Sequence, residues 1–431
     1  MKPACRSLLA LLATGTLLAG CASTGPVESR PSPPLPPAQT PPAQAPAQPP
    51  IQPPPLPRLP DIGEPIPPSV PPATVPVPPP RPVVVPFPSE REGRALVISY
   101  LPAYVKDKEG WATDLFAAFA ALRIQPTPDN LCAAIAIIEQ ESTFQADPEV
   151  AGLSKIVWKE IERRRERLHL PRLLVDTALL KTSPDGRSYK ARIDALRTEK
   201  QMNALFDDMI SELPAGRSLL EGYNPVHTGG PMQVSVAFAE EQVKEKPYPY
   251  PRRGSVRNEV FSRRGGLYFG VAILLDYPAP YSQLIYRFAD FNAGRYSSRN
   301  AAFQDAVARL ANRPLALDGD LLRYVDGRPS SEPSATLLAL QGLSAILGLS
   351  RAEMQRDLAL EKTARFGATP LYAKVFALAE SRSGSRLPRE TMPRIDLKSP
   401  KIQRSLTTAW FAERVDARHR TCLGRNRATS P

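Results

Sequence analysis

The chain has 431 residues, a formal net charge of +12 and 51 prolines. Its proline-poor part is long enough to bury a sizeable core, and so basic a surface suits anionic partners such as cell-wall glycans and phospholipid. Four cysteines and three histidines without zinc-type spacing, and the lack of a glycine-rich phosphate loop, give no ground for a metal, a nucleotide or any other cofactor.

Residues 1–20 read as an export signal. Lys2 and Arg6 supply positive charge, and the apolar run over residues 7–19 is too short to span a membrane as a mature helix. Leu18-Ala19-Gly20-Cys21 then places small residues before a cysteine. This resembles a bacterial lipoprotein signal, and the resemblance implies that Cys21 is the lipidated first residue of the mature protein; the alternative is an ordinary cleaved secretory peptide. Ala22, rather than Asp, follows the cysteine. That resembles the outer-membrane sorting class, so the expected location is the periplasmic face of the outer membrane, with a lipid anchor. Nucleic acid is not an expected partner of such a protein, and no protein partner is indicated.

Residues 21–89 carry the lipidated cysteine and a tract rich in Pro, Ala, Gln and Val. Such a segment builds neither helix nor sheet ladder and buries no core, so it is expected to be a disordered tether with polyproline II character. At ~3.1 Å per residue, about 60 residues reach ~190 Å when extended.

The folded part is expected over residues 90–425, with 426–431 as a tail. Residues 95–100 make at most one short strand. Residues 111–122 are amphipathic, with Leu115, Phe116, Phe119 and Leu122 spaced for one helix face. Residues 130–144, NLCAAIAIIEQESTF, then read as a buried helix ending on a carboxylate, capped by Asp129 or Asn130 after Pro128. Glu141 shares the side of Ala134 and Ile137, whereas Glu139 lies over Cys132 and Ile135. A carboxyl held against aliphatic surface resists ionisation, as a general acid at neutral pH requires. The same residue can equally be a solvated position just past a core helix.

A charged helical region, residues 153–213, follows. Residues 223–234, YNPVHTGGPMQV, form a loop in which adjacent glycines permit close backbone approach to a ligand or make a tight turn; His227 within it can touch a ligand or be structural. Residues 246–254 are a second loop, and 256–277 a helix whose Gly265, Gly266 and Gly270 suggest close packing against another helix. Residues 286–303 hold a helix end or tight turn at Phe291-Asn292-Ala293-Gly294. Helices are expected again at 321–324, 335–347, 351–360 and 405–417, the last in a basic, less regular tail. Cys132 and Cys422 either pair in an oxidising compartment or leave Cys132 as a small core residue.

Three pieces line up in order: Glu141-Ser142 with Phe144, then Gly230-Pro231-Met232-Gln233-Val234, then Phe291-Asn292-Ala293-Gly294. Together they resemble the signatures of soluble lytic transglycosylases and goose-type lysozymes, which read E-S-x-F, G-L-M-Q and A-Y-N-A-G. The resemblance covers roughly residues 115–311. It implies a mainly α fold: a lysozyme-like helical domain with a large helical insertion at about 150–222 and a C-terminal helical extension. Glu141 matches the single catalytic acid/base. Ser142, Gly230, Met232, Gln233, Phe291, Asn292, Ala293 and Gly294 match substrate-binding positions around a glycan groove, and peptidoglycan strands are the implied partner.

The implied reaction is cleavage of the β-1,4 bond between N-acetylmuramic acid and N-acetylglucosamine. Glu141 would protonate the leaving oxygen and then take the proton of the muramic 6-hydroxyl, leaving a 1,6-anhydro end. No second carboxylate is needed, unlike the usual two-carboxylate scheme; Asp147 and Asp290 are the nearby candidates. The chain departs from the pattern in three places: Glu141 and Gln233 stand 92 residues apart, Pro231 replaces Leu, and Phe291 replaces Tyr, for which Tyr286 or Tyr296 could substitute. The competing expectations are a non-catalytic peptidoglycan-binding lipoprotein and an envelope-assembly lipoprotein that binds protein through the insertion.

Overall fold

The computed structural model describes residues 86–212, 224–252, 254–325, 328–397 and 406–427. Cys21, the signal and almost all of the tether lie outside these. The described chain is mainly helical, with three two-residue antiparallel hairpins.

It opens with α1 (Glu90–Tyr100), α2 (Lys108–Leu122) and α3 (Pro128–Glu141). Residues 95–100, read above as a possible strand, are the second half of α1. A reciprocal cap starts that helix: Ser89 Oγ accepts from Glu92 N, and Glu92 Oε2 accepts from Ser89 N. Val97 and Tyr100 then fall on one buried face. α3 begins two residues before the expected start, because Thr127 is the cap and Pro128, with no N–H to satisfy, takes the first helical position.

The region expected at 153–213 contains α4 (Leu153–Arg167), α5 (Arg172–Leu179), α6 (Tyr189–Asp194) and α7 (Glu199–Ser211). Leu153, Val157, Val175, Leu179, Tyr189, Ile193, Leu196 and Leu205 give these helices a small core of their own. The long second half expected there breaks at residues 195–198, where Thr198 caps α7.

Next come the hairpin β1 (Thr228–Gly229) and β2 (Val234–Ser235), then α8 (Val236–Glu245), α9 (Val256–Val260) and α10 (Arg263–Leu275). The helix expected over 256–277 is therefore two: Ser262 Oγ accepts from Gly265 N and restarts the chain as α10. α11 (Ile285–Ala293) and α12 (Ser297–Ala311) follow.

The main core joins α1, α2, α3, α10 and α11 to the last helix, α17 (Thr408–Arg427), with Met232 and Val234 of the hairpin inserted. α17 is longer than the helix expected at 405–417 and packs extensively on α3 and α11. A disulfide between Cys132 on α3 and Cys422 on α17 ties the two. Of the two readings of these cysteines, pairing is the one the structure adopts.

A second core, around Phe303, Leu340, Leu358, Phe366, Leu371 and Phe376, joins α12 to α13 (Ala335–Gln341), α14 (Ser344–Leu347), α15 (Arg351–Leu358) and α16 (Pro370–Ser383). Residues 321–324 are not helical. Tyr324 enters a hairpin, while Leu321 and Leu322 donate their backbone N–H groups to the Glu361 carboxylate. None of the described helices is long and apolar enough to cross a membrane.

Candidate active site

The site is built on α3. Every residue from Leu131 to Ile138 is fully buried, so the helix is held on all sides by its neighbours. Its last turn ends at Ser142, whose Oγ donates to Ile138 O at 3.1 Å. Thr143 and Phe144 then both adopt positive φ, 50° and 59°. Two successive non-glycine residues in the left-handed region cost of order 1–2 kcal/mol each, strain typical of functional turns. The turn directs Phe144 back into the core, edge-on to Trp111 at 5.2 Å, with the exposed ring of Tyr104 against it at 6.4 Å.

Glu141 stands at the start of this turn, partly exposed at the surface with its carboxyl set among protein atoms. Desolvation, followed by the charge of Glu199, pushes it up to about 7. No described residue hydrogen-bonds its side chain. Glu139 differs in kind. Its carboxylate pairs with Arg425 of α17 at 3.3 Å and its charge acts on the Tyr104 hydroxyl, so it joins helices.

The second motif is the turn of the β1–β2 hairpin. Gln233 N donates to Gly230 O at 3.1 Å, and Gln233 itself has φ 48°. Gly230 has φ 73°, and a Cβ there would lie 2.1 Å from Val260 O, so conformation and space both require glycine. The hairpin tip presses on α10: the Pro231 ring sits over Gly266 and the buried Met232 over Gly270. Of the three α10 glycines, Gly266 and Gly270 pack against the hairpin, while Gly265 packs on the Glu259 carbonyl of α9, so a helix is one of the two partners. The Gln233 amide is engaged within its own turn, with Gly230 O and Thr228 Oγ1 each at 3.4 Å. His227 is exposed beside it.

The third motif ends α11. Gly294 takes φ 107°, and its N–H donates to Asp290 O at 2.7 Å. Phe291 packs on the main core, and Asn292 Oδ1 accepts from Thr408 Oγ1 at 2.9 Å where α17 begins. Asp290 is a structural hub, buried and accepting from Tyr281 Oη (2.7 Å), Tyr277 Oη (3.1 Å), Tyr296 N (2.8 Å) and Ser298 N (2.7 Å). Tyr296 is itself buried edge-on to Tyr277, and Tyr286 packs against Tyr281.

Flanking residues of all three motifs therefore meet in one core: Ile137 and Phe144, Met232 and Val234, Phe288 and Phe291. Gln233 is hydrogen-bonded within its own turn and Asn292 to the start of α17, whereas the Glu141 carboxyl has no such bond among the described residues. The inserted helices also reach the site, which sequence reasoning missed. Thr198 Oγ1 donates to Asp147 at 3.1 Å, Thr198 bridges to Glu149, and Val150 N donates to Arg197 O at 2.8 Å. The Thr198-x-x-Gln201 capping box was legible as a helix start; its contact with residues some fifty positions earlier was not. An open recess of about 380 Å³ beside this junction is lined in part by Lys155, Asp194 and Arg197, away from the acid.

No solved structure matches this fold. The chain is 54% identical over 329 residues to a protein of Escherichia coli strain K12 described as uncharacterized protein YaiW, covering 76% of this chain and 89% of that one. Residues 104–425, from the exposed Tyr104 to the Arg425 that pairs with Glu139, match a family described as protein of unknown function (DUF1615), and the chain belongs to that family.

Proposed function

We propose that the chain is a peptidoglycan lytic transglycosylase, anchored through Cys21 to the periplasmic face of the outer membrane, with a lysozyme-like helical core and Glu141 as its acid/base. The observation that carries this reading is the Glu141 carboxyl: desolvated, pushed up to about 7 and without a hydrogen-bond partner at the strained end of a buried helix. A group with that affinity holds its proton at neutral pH and can give it to a glycosidic oxygen, then take one back. The disulfide supports an oxidising compartment.

In the reaction, the bond from C1 of the muramic sugar to the leaving oxygen breaks as the Glu141 proton moves to that oxygen. The muramic 6-hydroxyl then bonds to C1 and its proton passes to Glu141, which returns the acid to its starting state. Gln233 and Asn292 lie on the two turns that would border the glycan.

The test is digestion of purified sacculi with mass analysis of the soluble products. Wild type is expected to release 1,6-anhydro muropeptides. Glu141→Gln should lose at least about 10²–10⁴-fold of that activity, while Glu139→Gln keeps most of it. Equal release by Glu141→Gln and wild type would reject the mechanism. Sacculus binding with no release by wild type would move the assignment to a binding lipoprotein.

A further inference from the structure

Besides Glu139, which pairs with Arg425, three carboxylates are candidates to act with Glu141. Asp290 is fully engaged in capping α12, and Asp147 accepts from Thr198. The third, Glu199, is the first residue of α7 and comes from the inserted helices. Its position is fixed from both sides. Thr198, immediately before it, bonds Asp147 and bridges Glu149, and Arg197 O accepts from Val150 N. These contacts clamp the start of α7 onto the six to nine residues that follow Glu141 in the chain. Glu199 is the charged group that acts on Glu141. Lys200 and Asp147 flank Glu199 and act on one another, while Glu139, Arg425 and Tyr104 form the opposite flank of α3.

We propose that the inserted lobe completes the catalytic site, with Glu199 as the positioning residue that sets a negative charge beside the Glu141 carboxyl. This rests on the reading of Glu141 as the acid. A negative charge held beside Glu141 disfavours a second one on its carboxyl, so the charge of Glu199 adds to desolvation in raising Glu141. A fold whose acid is armed by a separate lobe differs from one armed by burial alone: its working pH range depends on residue 199.

The experiment uses the full chain. Glutamate carboxyl carbons are labelled with ¹³C, the Glu141 signal is assigned by its loss in Glu141→Gln, and its titration is followed in wild type, Glu199→Gln and Glu199→Asp. Sacculus digestion is measured in parallel at pH 5 and pH 7.5. Glu199→Gln is expected to move the Glu141 titration to lower pH and to cut release by about three- to tenfold at pH 7.5, with little change at pH 5. Glu199→Asp should restore much of both. An unmoved Glu141 titration, or an equal loss at both pH values, would overturn the proposal by reducing Glu199 to a structural role. If the titration moves but wild type releases no product, the pairing stands and the lytic reading fails.

Discussion

Glu141 and Glu361 are both pushed up to about 7 by burial, and their surroundings separate their roles. Glu361 accepts from Leu321 N, Leu322 N and the Tyr324 hydroxyl, so it is a joint of the second core. Glu361→Ala would leave these donors without their acceptor, at about 1–3 kcal/mol for each one that water cannot reach. Urea denaturation should show a loss of at least about 2 kcal/mol; no loss would mean water satisfies them. Glu141 has no such bonds, so its burial costs stability whenever it ionises. Its folded-state value lies above the ordinary 4.5, so the stability linked to this group is intact below about pH 4.5 and falls as pH rises through about 7. The total is on the order of 3 kcal/mol. Glu141→Gln should therefore melt higher than wild type at pH 8 and at about the same temperature at pH 4.5. Scanning calorimetry at the two pH values checks this; an equal difference at both would show that the carboxyl is not desolvated. The position of Glu141 was legible in the sequence because helix period and an apolar run are local properties. The role of Glu361 was not, because its donors stand 37 to 40 residues earlier in the chain.

Among the elements, the β1–β2 hairpin against α10 is the junction on which the second motif depends. Gly270→Ala would place a Cβ 2.2 Å from Met232 Sδ, and Gly230→Ala would meet the Val260 carbonyl at 2.1 Å with a strained φ. Met232 can shift its flexible end, while the carbonyl cannot, so Gly230→Ala should be the worse of the two. Overpacking of this kind costs about 1–3 kcal/mol. Thermal melts should rank wild type above Gly270→Ala above Gly230→Ala, and a reversed order would mean the hairpin is not seated as described. The sequence showed that three glycines in one helix need a reason. It could not show that for Gly266 and Gly270 the reason is a hairpin, and for Gly265 the carbonyl of Glu259, since these contacts are set by tertiary packing. The break at Ser262 was missed likewise: an apolar run reads as one helix, although a serine followed three residues later by Gly265 marks a cap. The two-residue strands carry too little alternation to be read at all.

On the scale of the whole molecule, α3 is held by α17. Arg425 pairs with Glu139, His419 reaches Asp129 O, and Cys422 is bonded to Cys132. Opening a disulfide that spans 290 residues removes up to about 5 kcal/mol by the chain-entropy account. Cys132→Ser with Cys422→Ser should lower the urea midpoint accordingly, and reducing agent should do the same to wild type but leave the double variant unchanged. If reductant destabilises both equally, the bond is not the cause. Pairing was one of two readings open from the sequence, because two cysteines far apart in the chain carry no sign of their distance in space. The described fold starts at residue 86, and Phe87 packs on Phe116 at 5.8 Å.

The link from residue 132 to residue 422 also sets a clock on the protein's birth. Ribosomes add about 5–20 residues per second, so roughly 15–60 s separate the making of α3 from the making of its partner α17. Throughout that interval the flank of α3 that packs on α17 has no permanent neighbour and Cys132 has no mate. A chain that stops short of its last twenty residues cannot finish its main core, whatever else has folded. Completion of the core around α3 is thus tied to completion of the message, and a nascent or truncated copy lacks the finished setting of Glu141.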